Sequence, residues 1–494
     1  MKKVLFILMT LMLMAGSTAS AQEPTDDYAA DKAEKIAAWQ KKLDEDGNPL
    51  RVRIEGYEEL YIDPLTEDAV IIDDSISSGP NRSAALWFPN ADRHFISYMS
   101  VDGKNDSIRL SAIVYTQSHR WHYSYFNKLL LNCHPTVTSL YEAPSGGKPV
   151  DEAIKRIVDD QYMVVCPDYC GYGLSAYMQH PYLIHDITAR NCVDAAMAAK
   201  ALGKTLIGSI PSGFNTSIVG YSQGGATALA CAKYLESDAC PEHYKTELNL
   251  KETVCGDGPY STVATINKYI EWGKDRKNLE YPCVLPLIVM AAKEAYGNGC
   301  MRTVDVKSYF SDKFLETGVF DLLKNKSLTT VDLNKKIMEK MNNHLLPTDI
   351  FSPTLINEKT GDFITTTNEY KCLMRALETN DLTKGWEPQH PITFFHLKND
   401  GVVPYVNYEA VFDSERKEGI KYNKDKSENG NVRSVDPGIT MVTVPGLALM
   451  ASSLPYYGLD WGGQFHVMEL DKLNHATGGT YFYILYLFEA GYLR

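Results

Sequence analysis

The chain has 494 residues, of which 44% are hydrophobic and 22% charged, an ordinary globular composition that excludes a disordered, collagenous or coiled-coil protein. Its 62 Asp and Glu outweigh 49 Lys and Arg for a net charge of -13. No basic stripe interrupts this excess, so nucleic-acid binding, which depends on neutralising phosphates, is set aside.

The N-terminus predicts export. Met1, Lys2 and Lys3 are a short cationic start, an apolar run extends to Ala15, and Ala19, Ser20 and Ala21 supply the small residues of a signal-peptidase site. Residues 1–21 are therefore expected to be removed, leaving a periplasmic or extracellular chain that begins at Gln22. The apolar run is shorter than the roughly 20 residues that span a bilayer, and no later segment suggests a transmembrane helix. Ten cysteines, Cys133, Cys166, Cys170, Cys192, Cys231, Cys240, Cys255, Cys283, Cys300 and Cys372, would then sit in an oxidising compartment. Their spacing forms no zinc-type CxxC pair, and one or two disulfides are expected with the partners left open.

Residues 22–93 read as an N-terminal accessory segment, with a polar helix over 26–45 ended by Asp46-Gly47-Asn48-Pro49. From His94 the pattern changes. "FISYMSV" and "IRLSAIVYT", joined by a polar turn around Gly103, predict a β-hairpin. Two short apolar runs follow, "KLLLNCHP" and "YMVVCPDY", with the helical "VDEAIKRIVDD" between them, so strand, helix and strand imply a parallel pair. The rhythm continues with a helix over 184–202, the strand "TSIVGYS", a helix over 224–235 and a strand at "KETVCGDGP". This alternation predicts an α/β fold, a doubly wound and mostly parallel sheet with helices on both faces. The first part of the core thus covers 94–259. Over 260–388 helical segments take over, including "VLPLIVMAAKEAYG", "KFLETGVFDLLKN" and "VDLNKKIMEKMNNHLL", which predicts an inserted helical cap. The second part of the core, 389–494, resumes at "PITFFHLKND" and closes with the apolar helix "TYFYILYLFEAGYL".

The chemistry centres on Gly220-Tyr221-Ser222-Gln223-Gly224, a G-x-S-x-G pentapeptide. Chance supplies such a match in roughly one protein of this size in six, so its setting decides. A buried strand precedes it and a helix follows, as a nucleophile elbow requires: a tight, strained turn that exposes the serine at the carboxyl edge of the sheet, beside a helix N-terminus. A serine nucleophile needs a base, and the base an orienting acid. Asp400, in a turn after "ITFFHLKN", and His475, between a polar turn and the last helix, follow Ser222 in the order Ser, acid, His. Asp257, after the strand "ETVCG", is an alternative acid, and His466 an alternative base. The oxyanion hole requires two backbone N–H groups, one from Gln223 and one from the loop "NCHPTVTS". Pro135 has no N–H, so the second donor is expected to be Thr136, with Val137 as the alternative.

On these motifs the chain resembles the α/β-hydrolases, and in particular the capped secreted lipases and esterases grouped with the secretory lipases. The likeness rests on "HPT" from His134, "VVCPDYCGYGLS" from Val164, "GYSQGG" from Gly220, "GDGPY" from Gly256, "NDGVVP" from Asn399 and "NHATGG" from Asn474. The chain departs from the pattern in the proline of the oxyanion loop, the long stretch between acid and histidine, and the segment before His94. The resemblance implies that Asp168, in the "PDYxGYG" loop, organises backbone near the site and takes no part in the chemistry. The expected reaction is two-step acyl transfer to water, on a small-molecule or lipid ester, with no cofactor and no metal. The cap run at 283–296 is apolar enough to receive an acyl chain or to form the cap's own core. Two alternatives stand beside this reading. A serine exopeptidase would need acids such as Glu294, Glu316 or Glu339 to bind the substrate's amine, and a non-catalytic binding protein could use the same scaffold.

Overall fold

The structure is a computed structural model that describes residues 91–117, 126–146, 162–207, 209–297, 299–386, 388–412 and 432–435, with 53–54, 57–60 and 71–73 before them and 474–476, 478–479 and 482–483 after. Hydrophobic runs that alternate with helices form a parallel sheet when both faces are covered, and the central strands here are buried on both. In chain order the strands are β1 (Arg53–Ile54), β2 (Tyr57–Leu60), β3 (Ile71–Asp73), β4 (Ala91–Val101), β5 (Ser107–Gln117), β6 (Lys128–Cys133), β7 (Tyr162–Pro167), β8 (Asn215–Tyr221), β9 (Leu250–Gly256), β10 (Ile392–Phe395) and β11 (Val432–Val435). They join in the order β1-β2-β3-β4-β5-β7-β6-β8-β9-β10-β11. From β7 to β11 neighbours run parallel, and from β1 to β5 they run antiparallel, as does β5 against β7.

Leu129, Leu130 and Leu131 of β6 are at most 1% exposed, and burial of each side chain contributes about 2 kcal/mol. The predicted hairpin is β4 and β5, paired from Ala91 with Gln117 to Val101 with Ser107. Strands β1 to β3 pair onto β4, so part of the segment expected to be an accessory arm extends the sheet. Strand β11, unforeseen in the closing stretch, pairs with β10. The predicted helices over 26–45 and 150–160, most of the closing helix, and residues 436–473 with His466 lie outside the described residues.

Helices α1 (His185–Ile207), α2 (Gln223–Leu235) and α3 (Glu242–Leu248) belong to the sheet core. The chain passes from β7 to β8 through α1, stepping over β6 in the sheet. Small residues let α1 and α2 lie close: Ala195, Ala196, Ala198 and Ala199 on one and Ala226, Ala228 and Ala230 on the other are at most 3% exposed. A buried polar pin sets the position of α1, because Asn191 Nδ2 donates to Ser100 Oγ (2.9 Å) and to Val101 O (2.8 Å).

Between β9 and β10 lie α4 (Thr262–Lys274), α5 (Val284–Ala295), α6 (Asp312–Leu315), α7 (Val319–Asn325), α8 (Thr330–Lys340), α9 (Pro347–Ile350) and α10 (Asn368–Thr379), while α11 (Val406–Phe412) follows β10. The inserted helices enclose an apolar cluster of their own that includes Leu285, Phe314, Ile337, Phe351 and Leu373. The run expected as one helix, "KFLETGVFDLLKN", is two, because Gly318 takes a left-handed conformation (φ 73°) between α6 and α7. Likewise α8 ends at Lys340, ahead of Asn342 and Asn343 with positive φ. Cys300 and Cys372 form a disulfide within the insertion, and the other eight cysteines are free and buried.

The segment between α7 and α8 fastens the insertion to the loop after β6. Leu140 N donates to Lys326 O (2.9 Å), Thr138 Oγ1 to Leu328 O (2.9 Å) and Thr330 Oγ1 to Thr136 O (3.1 Å). Glu142 Oε2 accepts from the backbone N–H of Thr138, Ser139 and Thr330. The buried Lys326 ammonium donates to the carbonyls of Gly171, Ala176 and Met178. Among the described residues, no helix is long and apolar enough to cross a membrane.

Candidate active site

In an open parallel sheet the loops after the carboxyl ends of the strands converge on one edge, where sites form. Here those loops carry Thr136 after β6, Ser222 after β8, Asp257 after β9 and Asp400 after β10. The elbow at Ser222 is tight. Its φ of 59° and ψ of -126° lie outside the regions a side chain favours, and the turn is held by Ser222 N donating to Gly256 O and Gly225 N to Ser222 O, both at 2.8 Å. The glycines of the motif are steric requirements. A Cβ at Gly220 would fall 2.1 Å from Gly224 O, and one at Gly224 would fall 2.0 Å from Cys133 O.

The three residues picked out by chain order meet. Ser222 Oγ lies 2.7 Å from His475 Nε2, and His475 Nδ1 lies 2.5 Å from Asp400 Oδ2. A carboxylate cannot donate, so Nδ1 carries the proton and Nε2 is left to accept from the serine hydroxyl. The other Asp400 oxygen accepts from Val402 N (2.7 Å) and Val403 N (2.8 Å). Burial alone would raise the Asp400 pKa, but the His475 charge, its hydrogen bond and these N–H groups hold it below the usual carboxylate value. For His475, burial opposes the charged ring, and the charge and hydrogen bond of Asp400 outweigh it, leaving the pKa above that of an ordinary imidazole.

Asp257 is not bonded to the His475 ring. It lies one strand away, wholly buried, with Oδ1 accepting from Leu397 N (2.7 Å) and Oδ2 at 2.5 Å from Tyr221 Oη. Burial, aided by the Asp400 charge and opposed by His396, pushes its pKa above the usual carboxylate range. Tyr221 Oη also lies 2.7 Å from His475 O. Sequence reasoning missed Tyr221 because nothing in the spacing marks it, although it stands inside the pentapeptide.

Gln223 is the first residue of α2, where the backbone N–H has no intrahelical acceptor. Its side chain is locked. His180 Nδ1 donates to Cys170 O (2.8 Å), which leaves Nε2 to accept from Gln223 Nε2 (2.7 Å), and burial pushes the His180 pKa down to about 3, so the ring is neutral. Thr136 lines the same cleft as Ser222, its Oγ1 2.9 Å from Tyr182 Oη. His134 stacks on Tyr169, and Asp168 accepts from Ser111 Oγ and Ser145 N, tying β5 and the 144–146 turn to the loop after β7.

The cleft at Ser222 is mainly apolar, lined among others by Tyr182, Leu183, Tyr269, Ile288 and Val402. Helix α5 therefore serves both purposes weighed for it: Val284 and Ile288 face the cleft while Leu285, Val289 and Ala292 are buried in the cap. None of Glu294, Glu316 and Glu339 lines the cleft. A serine with an imidazole nitrogen on its hydroxyl, at a helix N-terminus and facing an apolar hollow, can attack a carbonyl carbon once that nitrogen is free to accept the proton.

No family model matches the chain, and no curated protein is similar to it in sequence. Solved structures are similar in fold. The rice cell wall degrading esterase LipA from Xanthomonas oryzae is 20% identical with a TM-score of 0.55, over 77% of this chain and 92% of that one. A Legionella pneumophila protein described as a candidate hydrolase is 17% identical with a TM-score of 0.56, over 82% of this chain and 90% of that one. With the strand order, the elbow after β8 and the helical insertion after β9, these likenesses make the fold of this chain that of the α/β-hydrolases.

Proposed function

We propose that the chain is an exported serine hydrolase that cleaves carboxylic esters through an acyl-enzyme on Ser222. The observation that carries this reading is the unbroken line from Ser222 Oγ through His475 to Asp400 at the mouth of an apolar cleft. His475 Nε2 takes the serine proton as Oγ attacks the ester carbonyl, and Asp400 holds the imidazole in the required tautomer and balances the imidazolium. The N–H groups of Gln223 and Thr136 receive the oxyanion. Collapse of the tetrahedral intermediate returns the proton to the departing alcohol, and water, activated by the same imidazole, releases the acid. The mechanism uses no cofactor.

The apolar lining favours an ester with an apolar acyl part, and Glu294, Glu316 and Glu339, the acids weighed for binding a free amine, are not among the described residues that line the cleft. Export is supported by the signal-like N-terminus and by the disulfide between Cys300 and Cys372. The division into a core over 94–259 and 389–494 with a cap over 260–388 is supported by the helices that separate β9 from β10. The test is to assay the mature chain and Ser222→Ala on p-nitrophenyl esters from acetyl to palmitoyl, with aminoacyl p-nitroanilides and a fluorophosphonate probe alongside. Ester turnover and labelling that both vanish in the variant are expected. Cleavage of the anilides alone would replace this reading with the exopeptidase, and an unlabelled Ser222 in folded protein would refute the mechanism.

A further inference from the structure

Two short contacts meet at one hydroxyl behind the site. Tyr221 Oη is 2.5 Å from Asp257 Oδ2 and 2.7 Å from the backbone oxygen of His475. Oxygen atoms this close need a hydrogen between them. Tyrosine supplies one, and a carbonyl supplies none. The second must come from the carboxyl group. Since Asp257 Oδ1 already accepts from Leu397 N, the remaining place for that proton is Oδ2. We propose that Asp257 is a positioning residue that stays protonated while Asp400 is ionised, donating to Tyr221, whose own proton then holds the backbone of His475.

The surroundings agree with this assignment. Asp400 has both oxygens filled by donors, from Val402, Val403 and His475, and so has no room for a proton. Two neighbouring buried carboxyl groups resist carrying two charges, and Asp257, with one N–H donor against the three donors on Asp400, is the one that stays neutral. The other titratable groups facing Asp257 are Tyr221 from β8, Tyr260 from the loop after β9, His396 from the end of β10 and His475 from the closing segment. His396 Nε2 donates to Val403 O (3.0 Å), and its Nδ1 is 3.8 Å from Asp257 Oδ1, beyond hydrogen-bond reach. The closing segment presses directly on the pair, since a Cβ at Gly478 would fall 2.6 Å from Tyr221 Oη and 3.4 Å from Asp257 Oδ2. The chain from Asp257 through Tyr221 thus fixes the backbone that carries the base, and its effect on turnover rests on the esterase reading above.

The test separates the two claims. Asn at 257 can donate from Nδ2 to Tyr221 and accept from Leu397 as the protonated acid does, whereas Ala can do neither. Asp257→Asn is expected to keep kcat within about threefold, and Asp257→Ala and Tyr221→Phe to lower it about tenfold with little change in KM. An infrared difference spectrum between wild type and Asp257→Asn should show the carbonyl stretch of one protonated carboxyl group lost. That measurement needs no turnover, so an inactive wild type would count against the Ser222 mechanism and leave the proton on Asp257 to be read by itself. Absence of the band, or Asp257→Asn falling as far as Asp257→Ala while remaining folded, would overturn the proposal, because either result means that Asp257 acts as an anion.

Discussion

Replacing Asp400 with Asn tests the relay at the point where the hydrogen bonds dictate the outcome. One carboxylate oxygen takes two backbone N–H groups and the other takes His475 Nδ1. In the amide, the carbonyl oxygen must stay with Val402 and Val403, because the opposite orientation would aim an NH₂ group at two buried donors. Stranding those donors costs about 1–3 kcal/mol apiece. The amide nitrogen therefore faces His475, which has to present a lone pair at Nδ1 and carry its proton on Nε2. That proton points at Ser222 Oγ, and the serine loses its base. Turnover should fall about 10⁴-fold, equivalent to about 5 kcal/mol of transition-state stabilisation, with KM little changed. Initial rates on p-nitrophenyl acetate, with Ser222→Ala as the floor, measure it. An Asp400→Asn enzyme within tenfold of wild type would refute the argument, since another acid would then be holding the ring. The pH profile carries the same logic. His475 must be neutral to accept a proton and its pKa is raised, so kcat/KM should fall as pH drops through a midpoint above the ordinary imidazole value of 6.5. An acid limb below that value would contradict the partnership with Asp400.

The strain at the elbow predicts that Ser222→Gly, although inactive, is more stable than Ser222→Ala by about 1–3 kcal/mol, since glycine tolerates a φ of 59°; urea unfolding of the two variants checks this, and equal stabilities would mean an unstrained turn. Glu142→Ala strips the acceptor from three backbone N–H groups around the oxyanion loop. It should cost about 1–3 kcal/mol of stability and lower kcat more than it raises KM, and an unchanged kcat would show that the loop keeps its shape unaided. Removing the Cys300–Cys372 bond, which closes a loop with a sequence separation of 72 residues, should cost about 4 kcal/mol in the chain-entropy picture, read as a lower urea midpoint for the double Ala variant. Ile288→Trp should shorten the best p-nitrophenyl acyl chain without abolishing acetate hydrolysis, because Ile288 faces the cleft away from the hydrogen-bonded residues.

What could be read from the sequence was whatever leaves a local pattern. Strand β6 announces itself because both faces are buried and the run is continuous, and the hairpin because a polar turn separates two β-rich runs. The site residues were legible for a different reason: chain order and the strand-turn-helix setting restrict where a serine, an acid and a histidine can stand. Asp400 and Asp257 could not be ranked decisively that way, since both follow strands. Only the spatial register of β9 beside β10 decides which of them reaches the His475 ring. Strands β1 to β3 and β11 are two to four residues long, too short to carry a period, and they owe their conformation to the edges they pair with. The break at Gly318 sits between poor helix formers, Thr317 and Val319, and was masked only by the helix-forming ends of the run, Lys313 to Glu316 and Leu322 to Lys324.

The fastening around Lys326 restricts how the site can admit a substrate. Lifting the insertion there would break its three carbonyl contacts together with those from Leu140, Thr138 and Thr330. At about 1 kcal/mol per hydrogen bond, that is about 6 kcal/mol, which leaves roughly one molecule in twenty-five thousand unlatched at any moment. Substrate that entered by opening this seam would have to use that small fraction alone. Val284 and Ile288 line the cleft together with Thr136, and the residue that leads into their helix, Cys283, donates its N–H to Asn334 Oδ1 beside the seam. The helix from Thr330 to Lys340 therefore holds both walls of the cleft, the loop after β6 through Thr330 and the start of α5 through Asn334, so that the insertion and the Thr136 loop keep one spacing.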